Sequence, residues 1–93
     1  MSNKKNILII DDEESLGQYL SIFLKRKGFN AEYITDSENI KTILEEFYFD
    51  VIITDINMPK FTGIDVLKFV NNIAPKTKVI IITAYSTKET AIE

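Results

Sequence analysis

The chain has 93 residues, of which 45% are hydrophobic and 27% charged, a composition typical of one small globular domain rather than of a disordered segment. Its net charge of −3 argues against direct contact with nucleic acid, because phosphate binding requires clustered lysine and arginine. The chain contains no cysteine and no histidine, which excludes disulfides, thiolate metal sites, imidazole bases and phosphohistidine within it.

The amino-terminal segment predicts neither a signal peptide nor a membrane span. Its basic residues Lys4 and Lys5 are followed by an apolar run that stops at Asp11. Such a run is too short for the core of a signal peptide and far too short to cross a bilayer. We therefore expect a cytoplasmic protein with no membrane partner.

The first predicted strand, residues 7–10, is continuously apolar and ends in the pair Asp11 and Asp12. A first helix follows, in which apolar residues recur at helical spacing and basic residues precede a stop at Gly28. Gly17 costs this helix about 1 kcal/mol relative to alanine, and the sequence shows no reason for it. The predicted inward face consists of Leu16, Tyr19, Leu20, Phe23 and Leu24.

The next segments continue the alternation of strand and helix. Residues 30–34 are mixed in polarity, as in an edge strand, and residues 35–38 are rich in helix-capping types. The predicted second helix has Ile40, Ile43, Leu44 and Phe47 on its inward face. The third strand, residues 51–54, is continuously apolar and ends in Asp55.

A loop over residues 58–63 precedes a third helix, which ends before Pro75 and has Val66, Leu67, Val70 and Ile73 inward. The fourth apolar strand then runs to Thr83, and a fourth helix begins near Thr87. Continuously apolar strands are typical of a parallel sheet that is buried on both faces. With right-handed crossovers, the pattern predicts an α/β fold with a doubly wound parallel sheet.

The carboxyl ends of three predicted strands carry Asp11, Asp12, Asp55 and Thr83. Parallel strands bring these ends to one edge of the sheet, where open α/β folds bind their ligands. Three carboxylates beside a hydroxyl require a cation, so we expect a hard divalent metal next to a reactive aspartate.

These motifs, in this order, resemble the receiver domain of bacterial two-component response regulators. The resemblance rests on the acidic pair, on Asp55, on Met58-Pro59 with Gly63, and on Thr83-Ala84, and it extends from Ile7 to the end of the chain. It implies a flavodoxin-like sheet with strand order 2-1-3-4 and one receiver domain over residues 1–93. The fifth strand, the fifth helix and a lysine that the family carries would be absent, so phosphorylation would be weak or absent. The segment after Thr83 also looks like the receivers of nitrogen-regulation-type transcriptional activators.

The resemblance also implies a role for each site residue. Asp55 would accept a phosphoryl group, and the Thr83 hydroxyl and the Ala84 N–H would contact it. The domain would assist its own phosphorylation and dephosphorylation without being a turnover enzyme. The implied Mg²⁺ ligands are Asp11, Asp12, Asp55 and the backbone carbonyl of Asn57.

The implied partners are a sensor histidine kinase or phosphotransfer protein and an output domain outside this chain. An exposed edge on the fourth strand predicts a dimer or a strand swap.

Other interpretations stay open on the residues alone. Asp11 and Asp12 could cap the first helix, and Asp55 could be a turn residue. The chain could be a pseudo-receiver, an interaction module that is not phosphorylated. An aspartate-nucleophile Mg²⁺ phosphatase is disfavoured because Asn57 cannot act as a general acid two residues after Asp55. Nucleotide-binding glycine motifs are absent from the sequence.

Overall fold

The computed structural model describes residues 4–82 of the chain. Within that range four strands alternate with three α-helices, and a short 3-10 helix, Ser37–Asn39, precedes the second of them. None of the helices in this part of the chain is long and apolar enough to cross a membrane. The elements are β1 (Asn6–Ile10), α1 (Glu14–Arg26), β2 (Asn30–Ile34), α2 (Ile40–Glu46), β3 (Val51–Asp55), α3 (Gly63–Ile73) and β4 (Lys78–Ile82).

The four strands form one parallel sheet in the order β2-β1-β3-β4, so the predicted topology and the edge position of β2 are confirmed. The register places Ile10 beside Thr54, and Asp55 beside Ile82. The carboxyl ends of β1 and β3 are therefore neighbours at the same edge of the sheet. The predicted residue Thr83 at the end of the fourth strand, and the fourth helix near Thr87, lie outside the described residues.

The main core lies between one face of the sheet and the helices α2 and α3. Side chains alternate across a strand, so Leu8 and Ile10 enter this core while Ile7 and Ile9 face the layer that contains α1. Each fully buried large aliphatic side chain contributes about 1.5–3 kcal/mol to folding. The buried residues of the core are Leu8, Ile10, Ile40, Leu44, Phe49, Ile52, Met58, Val66 and Val70.

The prediction that Tyr19 and Phe23 lie on the inward face of α1 is wrong. Tyr19 is 63% exposed and Phe23 is 42% exposed, whereas Gly17 and Ser21 are the buried residues of this helix. A Cβ atom on Gly17 would lie 2.9 Å from Cδ2 of Tyr33 in β2. The helix therefore lies against the sheet through its small residues, and this close approach is the reason for Gly17 that the sequence did not show.

Two further predictions of burial differ from the structure. Phe47 is 61% exposed because α2 ends at Glu46, and Phe47 itself has extended backbone. Ile80 in β4 is 50% exposed, so β4 is not buried on both faces within residues 4–82. The register places Ile53 between Ile9 and Ile80 on one face. On this face the exposed fraction of the side chain rises from Ile9 in β1, which α1 covers, through Ile53 in β3 to Ile80 in β4.

Candidate functional site

Three carboxylates meet at the carboxyl ends of the two central strands. Asp11 and Asp12 directly follow β1, and Asp55 is the last residue of β3. One carboxylate oxygen from each of these residues lies within 4.8 Å of the other two. This proximity follows from the parallel pairing of β1 with β3, which carries both strand ends to the same place.

The electrostatic environment of the cluster is unfavourable for negative charge. Asp11 is only 3% exposed, and burial raises its pKa. The negative charges of Asp55, Asp12 and Glu13 raise that pKa further, while a hydrogen bond from the Glu13 N–H to Asp11 Oδ1, at 2.9 Å, opposes the rise. Within residues 4–82, the formal charges that shift the pKa of Asp11 are thus all negative, which is the arrangement that a bound cation would relieve.

The helix-capping interpretation accounts for only part of the cluster. The N-cap residue of α1 is Glu13, whose side chain makes no cap hydrogen bond. Asp11 accepts the hydrogen bond from the Glu13 N–H and so supports the start of α1. Capping therefore explains the position of Asp11 and does not explain why Asp12 and Asp55 lie beside it.

The segment after Asp55, residues 56–62, forms the β3–α3 loop, and backbone hydrogen bonds close it at both ends. The Ile56 N–H donates to the carbonyl of Ile82 at 3.0 Å, and the Gly63 N–H donates to the carbonyl of Ile56 at 3.0 Å. Met58 is 7% exposed and belongs to the core. Asn57, two residues after Asp55, is exposed and lies between Ile56, which these backbone hydrogen bonds hold, and the buried Met58.

The far end of this loop is held by the first turn of α3. Thr62 is the N-cap residue, and its hydroxyl accepts a hydrogen bond from the Asp65 N–H at 3.2 Å. In return the Thr62 N–H donates to Asp65 Oδ2 at 3.0 Å, which completes a capping box. The sequence pattern predicts a loop here but did not lead us to this capping pair.

A second contact that the sequence pattern did not reveal joins the loop to the start of the 3-10 helix. The Ser37 hydroxyl donates to the carbonyl of Phe61 at 3.0 Å and accepts from the N–H of Phe61 at 3.1 Å. From the sequence, Ser37 belongs only to a segment of capping residues. Its neighbour Asp36 does have that role, because it accepts a hydrogen bond from the Glu38 N–H.

The expected site residues are thus only partly brought together by the structure. Asp11, Asp12 and Asp55 share one cluster, and Asn57 lies in the adjoining loop. Thr83 and Ala84 fall outside the described residues, although Thr83 directly follows Ile82, the residue that pairs with Asp55. Carboxylate and carbonyl oxygens are hard donors, and Mg²⁺ in proteins binds to a few of them while it keeps several waters. The donor set of this cluster therefore fits Mg²⁺.

Comparison with known proteins identifies the family to which this site belongs. The sequence model described as "Response regulator receiver domain" matches residues 7–93. The chain is 33% identical over 93 residues to the regulatory protein AtoC of Escherichia coli, an alignment that covers all of this chain and 20% of AtoC. It therefore spans about a fifth of the length of that relative.

Solved structures of receiver domains have the same architecture. A response regulator receiver domain from Clostridium thermocellum is 34% identical, with a TM-score of 0.79 over 95% of this chain and 71% of that one. The response regulator TrrA from Thermotoga maritima, solved in complex with Mg²⁺ and BeF, is 28% identical, with a TM-score of 0.81 over 92% of this chain and 75% of that one. Sequence and fold agree: the chain belongs to the receiver domain family of two-component response regulators.

Proposed function

We propose that this receiver domain is a phosphoacceptor switch in which Asp55 becomes phosphorylated in the presence of Mg²⁺. The observation that carries the proposal is the grouping of three carboxylates within 4.8 Å at the carboxyl ends of β1 and β3. A nucleophilic carboxylate and a metal-binding pair are the two components that phosphoryl transfer to an aspartate requires. The receiver-domain family to which the chain belongs supports the same interpretation.

In the proposed step a carboxylate oxygen of Asp55 attacks the phosphorus of a phosphohistidine on a partner kinase or phosphotransfer protein. A new oxygen–phosphorus bond forms, the nitrogen–phosphorus bond breaks, and the imidazole leaves with the electron pair of that bond. Asp55 is half-buried at the end of β3, which orients its carboxylate toward the same edge as Asp11 and Asp12. This fixed orientation lowers the entropic cost of the attack.

Asp11 and Asp12, together with Asp55 and the backbone carbonyl of Asn57, would hold the Mg²⁺ ion. When bound, Mg²⁺ neutralises charge on the phosphoryl oxygens, which is the main catalytic device of phosphoryl transfer. Asp11 is already fixed by its hydrogen bond from the Glu13 N–H. The related response regulator TrrA was solved in complex with Mg²⁺ and BeF, which supports the choice of this metal for the present site.

The remaining roles follow from the family. Thr83 would donate its hydroxyl, and Ala84 its N–H, to a phosphoryl oxygen. Phosphorylation would then alter contacts with an output domain, and names such as "Transcriptional regulatory protein ZraR" among the relatives support an output in transcription. The association of two copies through the edge of β4 stays a prediction.

A calorimetric titration with Mg²⁺ tests the metal site directly. We expect the chain to bind one Mg²⁺ ion and expect Asp12→Asn to abolish measurable binding, because Asp12 is the exposed carboxylate of the cluster and has an open approach. The matched control is Asp50→Asn, which changes an aspartate that accepts a hydrogen bond from the Asn6 N–H at the opposite end of the sheet and should leave Mg²⁺ binding unchanged. A chain that is folded but binds no Mg²⁺ would contradict the proposal and favour the pseudo-receiver alternative.

A further inference from the structure

We propose that Ser37 is a positioning residue for the metal site, because its buried hydroxyl holds the β3–α3 loop and thereby the carbonyl of Asn57. This inference rests on the proposed function, since it concerns how that site keeps its geometry. Ser37 lies outside the acidic cluster and acts through the loop rather than by contact with the metal.

Two hydrogen bonds connect Ser37 to a single residue of the loop. Its hydroxyl donates to the Phe61 carbonyl at 3.0 Å and accepts from the Phe61 N–H at 3.1 Å. Ser37 is only 2% exposed, so water competes little for either bond. Because both polar groups of Phe61 bond to one side chain, the orientation of the backbone at this point is fixed and not merely its position.

Ser37 itself is held by rigid surroundings. Asp36 caps the 3-10 helix through a 2.8 Å hydrogen bond from the Glu38 N–H. The next element, α2, begins at Ile40, which is fully buried in the main core. The serine hydroxyl is therefore a fixed point, and it is the loop that would move if the bonds were absent.

The rest of the loop explains why this link matters for Asn57. The loop is closed at its ends by Ile56 and Gly63, and Met58 is buried in the core. On the far side of Met58, the ring of Phe61 packs edge-on against Phe69, with the ring centroids 5.0 Å apart. Met58 and Phe61 are thus the two residues of the loop that pack against the core, and Asn57 directly precedes Met58.

A second link between the same two segments is too weak to replace Ser37. Lys60 and Glu38 form an ion pair at 4.0 Å, with side chains that are 60% and 56% exposed. Exposed pairs of this kind contribute little, because water and salt screen them. The buried polar connection is therefore the one through Ser37.

Loss of the Ser37 hydroxyl would leave the N–H and carbonyl of Phe61 without their protein partner. The loop would sample more conformations, and the carbonyl of Asn57 would face the metal for a smaller fraction of the time. The carboxylates of Asp11, Asp12 and Asp55 would remain in place, since β1 and β3 fix them. Mg²⁺ binding should therefore be weakened but not lost.

The test compares Ser37→Ala with Ser21→Ala by calorimetric titration with Mg²⁺. Ser21 is the control because it is also buried, at 4% exposed, but lies in α1 on the opposite face of the sheet. Its hydroxyl donates to the carbonyl of Gln18 at 2.9 Å. Ser21→Ala removes one hydrogen bond within α1 and Ser37→Ala removes two to the loop, so the free energy of unfolding of both variants is measured beside Mg²⁺ binding. We expect Ser37→Ala to raise the Mg²⁺ dissociation constant roughly three- to tenfold, which is the effect of about one hydrogen bond, and Ser21→Ala to leave it unchanged.

Hydrogen exchange supplies a second measurement that needs no metal. The amide of Phe61 should exchange faster in Ser37→Ala and at the normal rate in Ser21→Ala, because only the first variant removes its acceptor.

An unchanged dissociation constant for Ser37→Ala, in a chain that binds Mg²⁺ normally, would overturn this inference alone. An equal weakening in both serine variants would also overturn it, since that would reflect general destabilisation. No Mg²⁺ binding by the unsubstituted chain would contradict the proposed function as well.

Discussion

A Cβ atom on Gly63 would lie 2.7 Å from the carbonyl oxygen of Asp55. It would also lie 2.9 Å from the Cα atom of Ile56, so both near neighbours are backbone atoms of the strand end that carries the proposed phosphoacceptor. Neither atom can yield without movement of that strand end. The first turn of α3 therefore lies against Asp55 at a distance that only glycine permits.

Gly63→Ala should accordingly disturb both the fold and the site. We expect a decrease of roughly 1–3 kcal/mol in the free energy of unfolding, as is usual when an atom is forced into a packed position. Mg²⁺ binding should weaken as well, because the backbone that must move belongs to Asp55 and Ile56. Urea denaturation and calorimetric titration measure the two effects. Asn71→Ala, on the exposed surface of α3, is the control, and an equal response of both variants would refute the explanation.

The buried carboxylate of Asp11 should make the metal-free chain less stable at neutral pH. Because burial and neighbouring negative charges raise its pKa in the folded state, folding disfavours the ionised form. The stability that Asp11 contributes is therefore fully present below its ordinary pKa of 3.8 and is lost as the pH rises through the raised value. Asp11→Asn removes the charge, and its amide oxygen can still accept the hydrogen bond from Glu13.

Without Mg²⁺ at pH 7, we expect Asp11→Asn to increase the free energy of unfolding by roughly 0.5–2 kcal/mol, a usual gain when an unfavourable charge is removed. The gain should vanish at acid pH, where Asp11 is protonated in both the folded and the unfolded state. At neutral pH, added Mg²⁺ should reduce the gain in the free energy of unfolding. Asp36→Asn, which changes an exposed aspartate with a similar hydrogen bond to the N–H two residues later, should show no such gain. A loss of stability in Asp11→Asn without metal would contradict the electrostatic explanation.

Gly17→Ala should fail to produce the stabilisation that is usual in a helix. Replacement of an exposed helical glycine by alanine usually raises the free energy of unfolding by about 1 kcal/mol. At this position the new Cβ would lie 2.9 Å from Cδ2 and 3.3 Å from Cβ of Tyr33, so the side chain of Tyr33 or α1 itself must shift. We expect a net loss of up to about 2 kcal/mol in thermal or urea unfolding.

The Tyr33→Ala background isolates the cause of that loss. With the ring removed, Gly17→Ala should become neutral or stabilising, because only the intrinsic helix preference remains. If the loss persisted in the Tyr33→Ala background, the contact with Tyr33 could not be its cause.

Thr77→Val should separate stability from metal binding. The buried hydroxyl of Thr77 donates to the carbonyl of Phe49 at 2.6 Å. Thr77 lies just before β4 and Phe49 just before β3, so this bond is at the opposite end of the sheet from the acidic cluster. Its loss should cost roughly 1–3 kcal/mol, because a buried carbonyl is left unpaired. The Mg²⁺ dissociation constant, measured under conditions where the variant is folded, should not change. Thr42→Val, on the exposed surface of α2, should alter neither quantity.

The sequence predicted the sheet well because its strands are short, apolar and separated by amphipathic segments. The grouping of Asp11 with Asp55 follows from parallel pairing, whereas the order β2-β1-β3-β4 was implied by the resemblance to receiver domains. On α1 only the inward positions of Tyr19 and Phe23 were predicted wrongly, because large apolar residues dominate a periodic pattern, whereas the buried residues of this helix are Gly17 and Ser21. A residue without a large side chain gives such a pattern no signal.

The role of Ser37 could not be read from the sequence for a different reason. Its partner Phe61 lies 24 residues further along the chain, and the contact depends on how two loops meet above the core. Serine after Asp36 fits a capping motif equally well, so local rules offered a sufficient explanation. The structure shows that Asp36 has the capping role and that the hydroxyl of Ser37 is directed to the loop.

The central claim, that Asp55 accepts a phosphoryl group with the help of Mg²⁺, is tested most directly by intact-mass spectrometry. The chain is incubated with acetyl phosphate in the presence and absence of Mg²⁺, and Asp55→Asn is treated in parallel. We predict one added phosphoryl group on a fraction of the molecules, dependent on Mg²⁺ and absent from Asp55→Asn. A folded chain that gains no phosphoryl group, or that gains one equally well with asparagine at this position, would contradict the claim.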